Sequence, residues 1–190
     1  MDYKTHFTNI YTNKIWGGNG ATPLSGPGSS LSGTTQIRSA LDKICDKYNI
    51  QSIADLGCGD LTWMSTLEIF NTKKYTGVDV VDVLIQKHKQ KYPNHTFLCL
   101  DLIYDELPDA DLAIVRDVSF HLPNKDVLTL IEKLKKYKYV AITSNNINKN
   151  QDLSGRYTPR NLRIQPFNLK PIETIPEPQW NREVLILNHF

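Results

Sequence analysis

Ser52-Ile53-Ala54-Asp55-Leu56-Gly57-Cys58-Gly59 is the stretch that decides the fold. Its first five residues read as a short buried strand. The two glycines that follow mark a sharp turn where the backbone approaches whatever lies beyond it. A helix is expected to open there, carried by Leu61, Met64, Leu67 and Phe70. Outward from this point the same alternation repeats. Residues 74–79 form a second strand, and 81–92 an amphipathic helix stopped by Pro93. Residues 96–100 make a third strand ending at Asp101, and 111–115 a fourth, followed by a helix marked by Val127, Leu128, Ile131 and Leu134. Residues 139–143 are a fifth strand. Upstream, Ile37, Ala40, Leu41, Ile44, Cys45 and Tyr48 keep helical spacing, with Thr34 or Thr35 as N-cap.

Strands alternating with helices of this length specify a parallel sheet covered on both faces, wound by right-handed crossovers. Residues 171–175 and 183–188 are strand-like runs joined by a Pro-rich polar link, which suits an antiparallel hairpin at one edge. The expected fold is α/β: a doubly wound, Rossmann-like, seven-stranded sheet, mostly parallel, with helices on both faces. Residues 34–190 form the domain and 1–33 an N-terminal flap. Residues 17–33 are too rich in Gly, Ser and Pro for regular structure. Tyr11, Ile15 and Trp16 just before them indicate a loop that packs over something.

The chain has 190 residues, with 22 Lys+Arg against 20 Asp+Glu. One domain of that length buries roughly 70% of its extended surface. The balanced charge excludes a nucleic-acid coat or an acidic tail protein. No uninterrupted apolar run exceeds four residues, so no membrane span is expected, and the N-terminus lacks the apolar core of a secretory signal. Three cysteines without CxxC spacing suit reduced thiols, hence a cytoplasmic setting (host cytoplasm if the source is viral). Five scattered histidines with no HExxH pair point away from a metal.

Asp79 ends the second strand 22 residues after Gly57. An acid at about this spacing accepts hydrogen bonds from ribose hydroxyls in nucleotide-binding α/β folds. Asp101, ending the third strand, is placed to accept from an adenine amino group. A dinucleotide fingerprint wants Gly or Ala at position 62, where this chain has Thr62, and Asp60 would repel a pyrophosphate at a helix N-terminus. A phosphate-free adenosine cofactor, S-adenosylmethionine (SAM), avoids that repulsion.

Asp55-x-Gly57-x-Gly59 with Asp79 and Asp101 resembles the class I SAM-dependent methyltransferases over essentially the whole chain. Further stretches narrow the likeness: Trp16-Gly17-Gly18, Ser25-Gly26-Pro27-Gly28-Ser29-Ser30, Cys58-Gly59-Asp60-x-x-Trp63-Met64, Arg116-Asp117-Val118-x-x-His121-Leu122, Gly155-Arg156-Tyr157-x-Pro159-x-Asn161-Leu162 and Pro166-Phe167-Asn168-Leu169. They resemble a small bacterial and viral branch associated with surface-polysaccharide or glycan decoration. The wider family usually has a third Gly where this chain has Leu61.

The resemblance implies that Gly57, Cys58 and Gly59 lie against the methionine part and the sugar. Asp79, with Val80, would hold the ribose, Asp101 with Leu102 the adenine, and Asp55 would order the loop or reach the amino group. Arg116 and Ser29 join this cofactor set, and Trp16 closes over it with the Gly/Ser loop. Arg38, on the first helix, is a candidate partner for the cofactor carboxylate, its alternative being a solvated helix charge.

Methyl transfer from a sulfonium needs alignment and exclusion of water, and a hydroxyl acceptor benefits from a base. The crevice should lie where strand order reverses, between the first and fourth strands. His121, with an imidazole near its ordinary pKa of about 6.5, is the candidate general base there. Asp117 would orient it or touch the substrate, unless it pairs with Arg116. Asp117 with Asn145 and Asn146 forms a weaker magnesium alternative; no metal is the expectation. Tyr11, Asn145, Arg156, Tyr157, Arg160 and Asn161 are the candidate acceptor contacts.

The expected function is O-methylation of a sugar hydroxyl on a small molecule, glycan or glycoconjugate, beside or fused to glycan-synthesis enzymes. The alternatives are an RNA or other nucleic-acid methyltransferase and a non-catalytic SAM-binding module. The lysines at 87, 89, 91, 133, 135, 136 and 138 lie on helices, and a net charge of +2 disfavours a large phosphate footprint.

Overall fold

The computed structural model describes residues 2–20, 22–152 and 157–190. Its strands are β1 (Ser52–Leu56), β2 (Lys74–Asp79), β3 (Thr96–Cys99), β4 (Leu112–Val115), β5 (Tyr139–Asn145), β6 (Glu173–Glu177) and β7 (Arg182–Asn188). They form one seven-stranded sheet in the order β3-β2-β1-β4-β5-β7-β6. All pairings from β3 to β5 are parallel, and β7 runs antiparallel to both β5 and β6. The order reverses between β1 and β4, so both strands deliver their C-terminal ends to one crevice.

The helices are α1 (Tyr3–Thr12), α2 (Thr35–Lys47), α3 (Glu68–Thr72), α4 (Asp82–Lys91) and α5 (Asn124–Leu134). The period-2 alternation of the strands divides the core between the two faces. Ile53 and Ile114 pack with Ile37, Leu41 and Ile44 of α2. Ala54, Leu56 and Val115 pack with Val127, Leu130 and Leu134 of α5. Each fully buried Leu or Ile contributes roughly 1.5–3 kcal/mol, and together they fix the strand tips that carry polar groups.

Two elements depart from the sequence reading. No helix opens at the glycines. Leu61 has φ +60°, the next residues form a 3₁₀ turn at Met64–Thr66, and α3 is only five residues long. Leu61, Trp63, Met64 and Leu67 are all buried, which a compact turn achieves and a one-sided helix would not. The flap, in turn, begins with a regular helix. Asp2 caps α1 by accepting from the Thr5 amide at 3.1 Å. Tyr3, Phe7 and Tyr11 share one face at spacing four, and Tyr3 donates its hydroxyl hydrogen to Asp126 of α5.

Candidate functional site

Gly57 and Gly59 take φ +85° and +58°. A Cβ at Gly57 would lie 2.5 Å from Val118 Cγ2, and one at Gly59 2.4 Å from Ser25 Oγ, so only glycine fits both positions. The turn is held from beneath. Asp79 accepts the Gly59 amide on one carboxylate oxygen and the Val81 amide on the other, each at 3.0 Å. His88 donates from Nε2 to the Gly59 carbonyl at 2.7 Å. Burial raises the Asp79 pKa, and the amides of Val81, Gly59 and Val80 oppose that rise.

The flap is latched to the same turn. Asp60 accepts the Ser25 amide at 3.0 Å, its own amide donates to Ser25 Oγ at 2.9 Å, and Ser25 Oγ lies 2.8 Å from the Tyr11 hydroxyl. Asp60 also accepts the Thr62 amide. The residue read as a charge at a helix N-terminus is thus a clasp between flap and turn.

Two adjoining cavities open at the strand tips. The first is a narrow slot of ≈ 90 Å³, walled by Tyr3 and Phe7 of α1, Asp79, Val80, Asp101, Leu102 and Ile103, with Val118 and Leu122 behind. Asp101 sits at its rim in a turn, accepting the Ile103 amide at 2.8 Å. The second, of ≈ 510 Å³, is lined by Ser25 to Ser29, Asp55, Cys58, Gly59, Trp63, Arg116, Phe120, Tyr157, Trp180 and Arg182. Tyr11, Trp16, Gly57, Asp117 and His121 wall both.

The floor of the larger cavity is a closed ring of four charges. Arg116 meets Asp117 at 3.0 Å and Glu177 at 2.9 Å; Arg182 meets Asp117 at 2.9 Å and Glu177 at 2.8 Å. Glu177 is fully buried, and Arg116 also donates to the Gly28 carbonyl at 3.0 Å, fastening the flap. Arg116 stacks over Trp63 and Arg182 over Trp180. Nearby, Asp55 accepts from the Tyr75 hydroxyl at 2.6 Å. Burial pushes its carboxyl up to about 7, assisted by the Asp79 charge and opposed by Tyr75 and Arg116.

His121 stacks on Trp16 with ring centroids 4.8 Å apart and has Phe7 and Phe120 at its edges. Burial, with His6 nearby, pushes its pKa down to about 4. The expectation of an ordinary imidazole pKa is therefore corrected: an apolar cage disfavours the charged ring, and the imidazole is neutral at pH 7.

Other expected roles change for one common reason: the polar side chains serve the fold. Asp117 does not orient His121; both its oxygens are engaged by the two arginines, and one also by the Thr143 hydroxyl. Arg38 turns back to Thr34 Oγ1 and the Leu31 carbonyl and lines neither cavity. Arg160 is fully buried, donating to the carbonyls of Thr158 and Leu122. Asn145 accepts the Arg160 amide and lines neither cavity, which sets it apart from the site of the magnesium alternative. Asn161 bridges to the Ile147 carbonyl and the Arg163 amide. Of the acceptor candidates, Tyr157, half-exposed, and Tyr11 reach a cavity wall. Arg156 lies outside the described residues.

Sequence reasoning missed α1 as a wall and the partners Glu177 and Arg182. The first had a signal in the Tyr3, Phe7 and Tyr11 spacing behind Asp2. The second had none beyond an acid and a base flanking the hairpin turn.

No protein-family model matches the sequence, and no curated protein resembles it closely in sequence. Its fold, however, matches solved methyltransferase structures. Magnesium protoporphyrin IX methyltransferase from Synechocystis PCC 6803 superposes with a TM-score of 0.66 at 14% identity, over 97% of this chain and 98% of that one. A Burkholderia thailandensis 1,6-didemethyltoxoflavin-N1-methyltransferase gives 0.66 at 13% identity, over 98% and 86%. Human N-acetylserotonin methyltransferase gives 0.59 at 13% identity, over 96% of this chain. The chain spans 66% of that human enzyme and 66% of a bacterial CtHen1 methyltransferase domain, just under two thirds of each. The fold is that of the Rossmann-like, SAM-dependent methyltransferases.

Proposed function

We propose that the chain is a SAM-dependent methyltransferase acting on a sugar hydroxyl. One observation carries the reading. At the reversal of strand order, the Gly57–Gly59 turn, the Asp79 carboxylate and the Asp101–Leu102 corner converge on one slot, which shares walls with a larger cavity holding His121. The fit to the cofactor rests on these groups. Each Asp79 oxygen, already holding one backbone amide, keeps a lone pair for a ribose hydroxyl. Val80, Leu102 and Ile103 give the slot apolar walls for a base. The solved relatives named above include proteins crystallised with SAM or S-adenosylhomocysteine, which supports the same choice.

Bound there, SAM supplies an electrophilic methyl on a sulfonium whose sulfur keeps the bonding pair as a thioether. The chain's own residues supply place and dryness. Trp16, Tyr11 and Phe7 exclude water, and Asp79 and Gly57 fix one end of the slot. The neutral His121 ring holds a lone pair for the proton that leaves the acceptor oxygen. Because its cage penalises the imidazolium, the ring is a weaker base than a free imidazole, and it would take that proton only as the oxygen–methyl bond forms. The 22:20 charge balance and the absence of a lysine among the described cavity walls favour a sugar over a nucleic acid.

Label transfer from methyl-labelled SAM to a panel of methyl glycosides, read as the mass of one added CH₂, tests the reading. His121→Ala is expected to lower kcat about 100-fold while S-adenosylhomocysteine binding persists in calorimetry. Label appearing only in RNA would move the acceptor to nucleic acid; no binding of SAM would end the proposal.

A further inference from the structure

Resting on that reading, we infer that the acceptor is uncharged: the larger cavity accepts a neutral hydroxyl-bearing ring and rejects its carboxylate- or phosphate-bearing analogues. The first ground is charge. Among the described residues, the walls of the two cavities carry three carboxylates, Asp79, Asp101 and Asp117, and the Asp55 carboxyl, whose pKa is raised to about 7, against two guanidiniums, Arg116 and Arg182. Both guanidiniums are already neutralised by Asp117 and by the buried Glu177 behind them. Net-acidic walls suit a cationic sulfonium. They give an acceptor carboxylate or phosphate no free counter-charge, and burying an unpaired anion is costly.

The second ground is the hydrogen-bonding inventory. Among the described residues, the ring leaves two buried nitrogens, Arg182 Nη2 and Arg116 Nε, without a hydrogen-bond partner. Arg182 is 4% exposed. A Cβ at Gly28 would sit 3.0 Å from Asp117 Oδ2 and 3.6 Å from Arg182 Nη2, so an acceptor oxygen and a donor nitrogen stand side by side beneath the flap. Asp117 and Arg182, which both line the larger cavity, thus offer a hydroxyl, which both donates and accepts, a partner for each role. A carboxylate accepts only and would meet the Asp117 oxygen unfavourably.

Trp180 lies against Arg182 at this polar spot, and Ile15 and Tyr157, both more than half exposed, also line the cavity. Flat apolar walls around a donor–acceptor pair suit a ring with apolar faces and hydroxyl edges.

The test compares kcat/KM of the full chain for methyl hexopyranosides with that for the corresponding uronic acids and hexose 6-phosphates. The anionic analogues are expected to be slower by about 100-fold and not to inhibit competitively. Asp117→Asn removes one carboxylate from the ring and should narrow the gap about 10-fold, with folding and S-adenosylhomocysteine binding checked by melting and calorimetry. Equal rates for neutral and anionic acceptors, or competitive inhibition of the wild-type protein by the uronic acids, would overturn the inference while leaving the sugar reading intact. If Asp117→Asn does not fold, those wild-type measurements still decide. A folded Asp117→Asn protein with an unchanged gap would overturn the role of the ring. Failure to methylate any glycoside, with the cofactor product still bound, would instead remove the sugar reading and this inference with it.

Discussion

The slot under α1 and the cavity beside it share five wall residues yet are built in opposite ways. In the slot, the key carboxylate is held by backbone amides: Asp79 is served by Gly59 and Val81, one turn and two residues away in space and chain. In the cavity, the charges hold one another, across residues 116, 117, 177 and 182 from three strand ends. A carboxylate held by amides keeps lone pairs for a ligand. A carboxylate held by guanidiniums is largely spent on structure, and what it offers a ligand is polarity without net charge. On the function proposed above, the first region would recognise the cofactor and the second would discriminate among acceptors.

The strongest challenge to that division is Glu177→Gln. It leaves two buried guanidiniums undercompensated and should cost about 3–5 kcal/mol of stability in urea unfolding. A loss below 1 kcal/mol would mean the ring is not structural.

Asp55, on the wall of the larger cavity, supplies a pH test. Its folded pKa, raised to about 7 from 3.8, means that the folded state holds a proton that the unfolded chain releases first. Stability from this group is therefore complete below about pH 4 and lost as pH rises through about 7. Asp55→Asn still accepts from Tyr75 and does not titrate. The wild type should lose stability relative to this variant between pH 4 and 8, by on the order of 4 kcal/mol. Parallel curves would place the Asp55 carboxyl back in the ordinary range.

Asp79→Asn should weaken S-adenosylhomocysteine binding by about 1–3 kcal/mol in calorimetry, because a buried acceptor is exchanged for a donor. Unchanged affinity would break the assignment of cofactor binding to the slot. The smallest effect is expected at Arg38→Ala. Its guanidinium folds back on Thr34 and Leu31, so affinity should stay within about 0.5 kcal/mol. A larger loss would restore Arg38 as a cofactor contact.

The same contrast explains what could be read from the chain. Gly57, Gly59, Asp79, Asp101 and Leu102 were legible because each sits at the end of a patterned strand, and strand ends in this topology meet at one place. Arg38, Asn145, Arg160 and Asn161 were misplaced because polarity does not distinguish a side chain that satisfies buried backbone from one that meets a ligand. Asn145 and Arg160 do the former, holding the segment after β5 against the sheet. The helix expected at Leu61 failed for a related reason. Hydrophobic residues at 61, 63, 64 and 67 satisfy helical spacing only in part, and the structure buries them all in a tight turn.

By itself the sequence determined the sheet, its reversal point and the glycine turn with its neighbouring acid. These follow from local periodicity and from the φ values that only glycine adopts without cost. Tertiary structure decided the rest: that α1 roofs the slot, that burial keeps the His121 ring neutral, and that Arg116, Asp117, Glu177 and Arg182 close into one ring. Those outcomes depend on desolvation and on contacts between residues far apart in the chain, 123 positions for Tyr3 and Asp126, which no local pattern encodes.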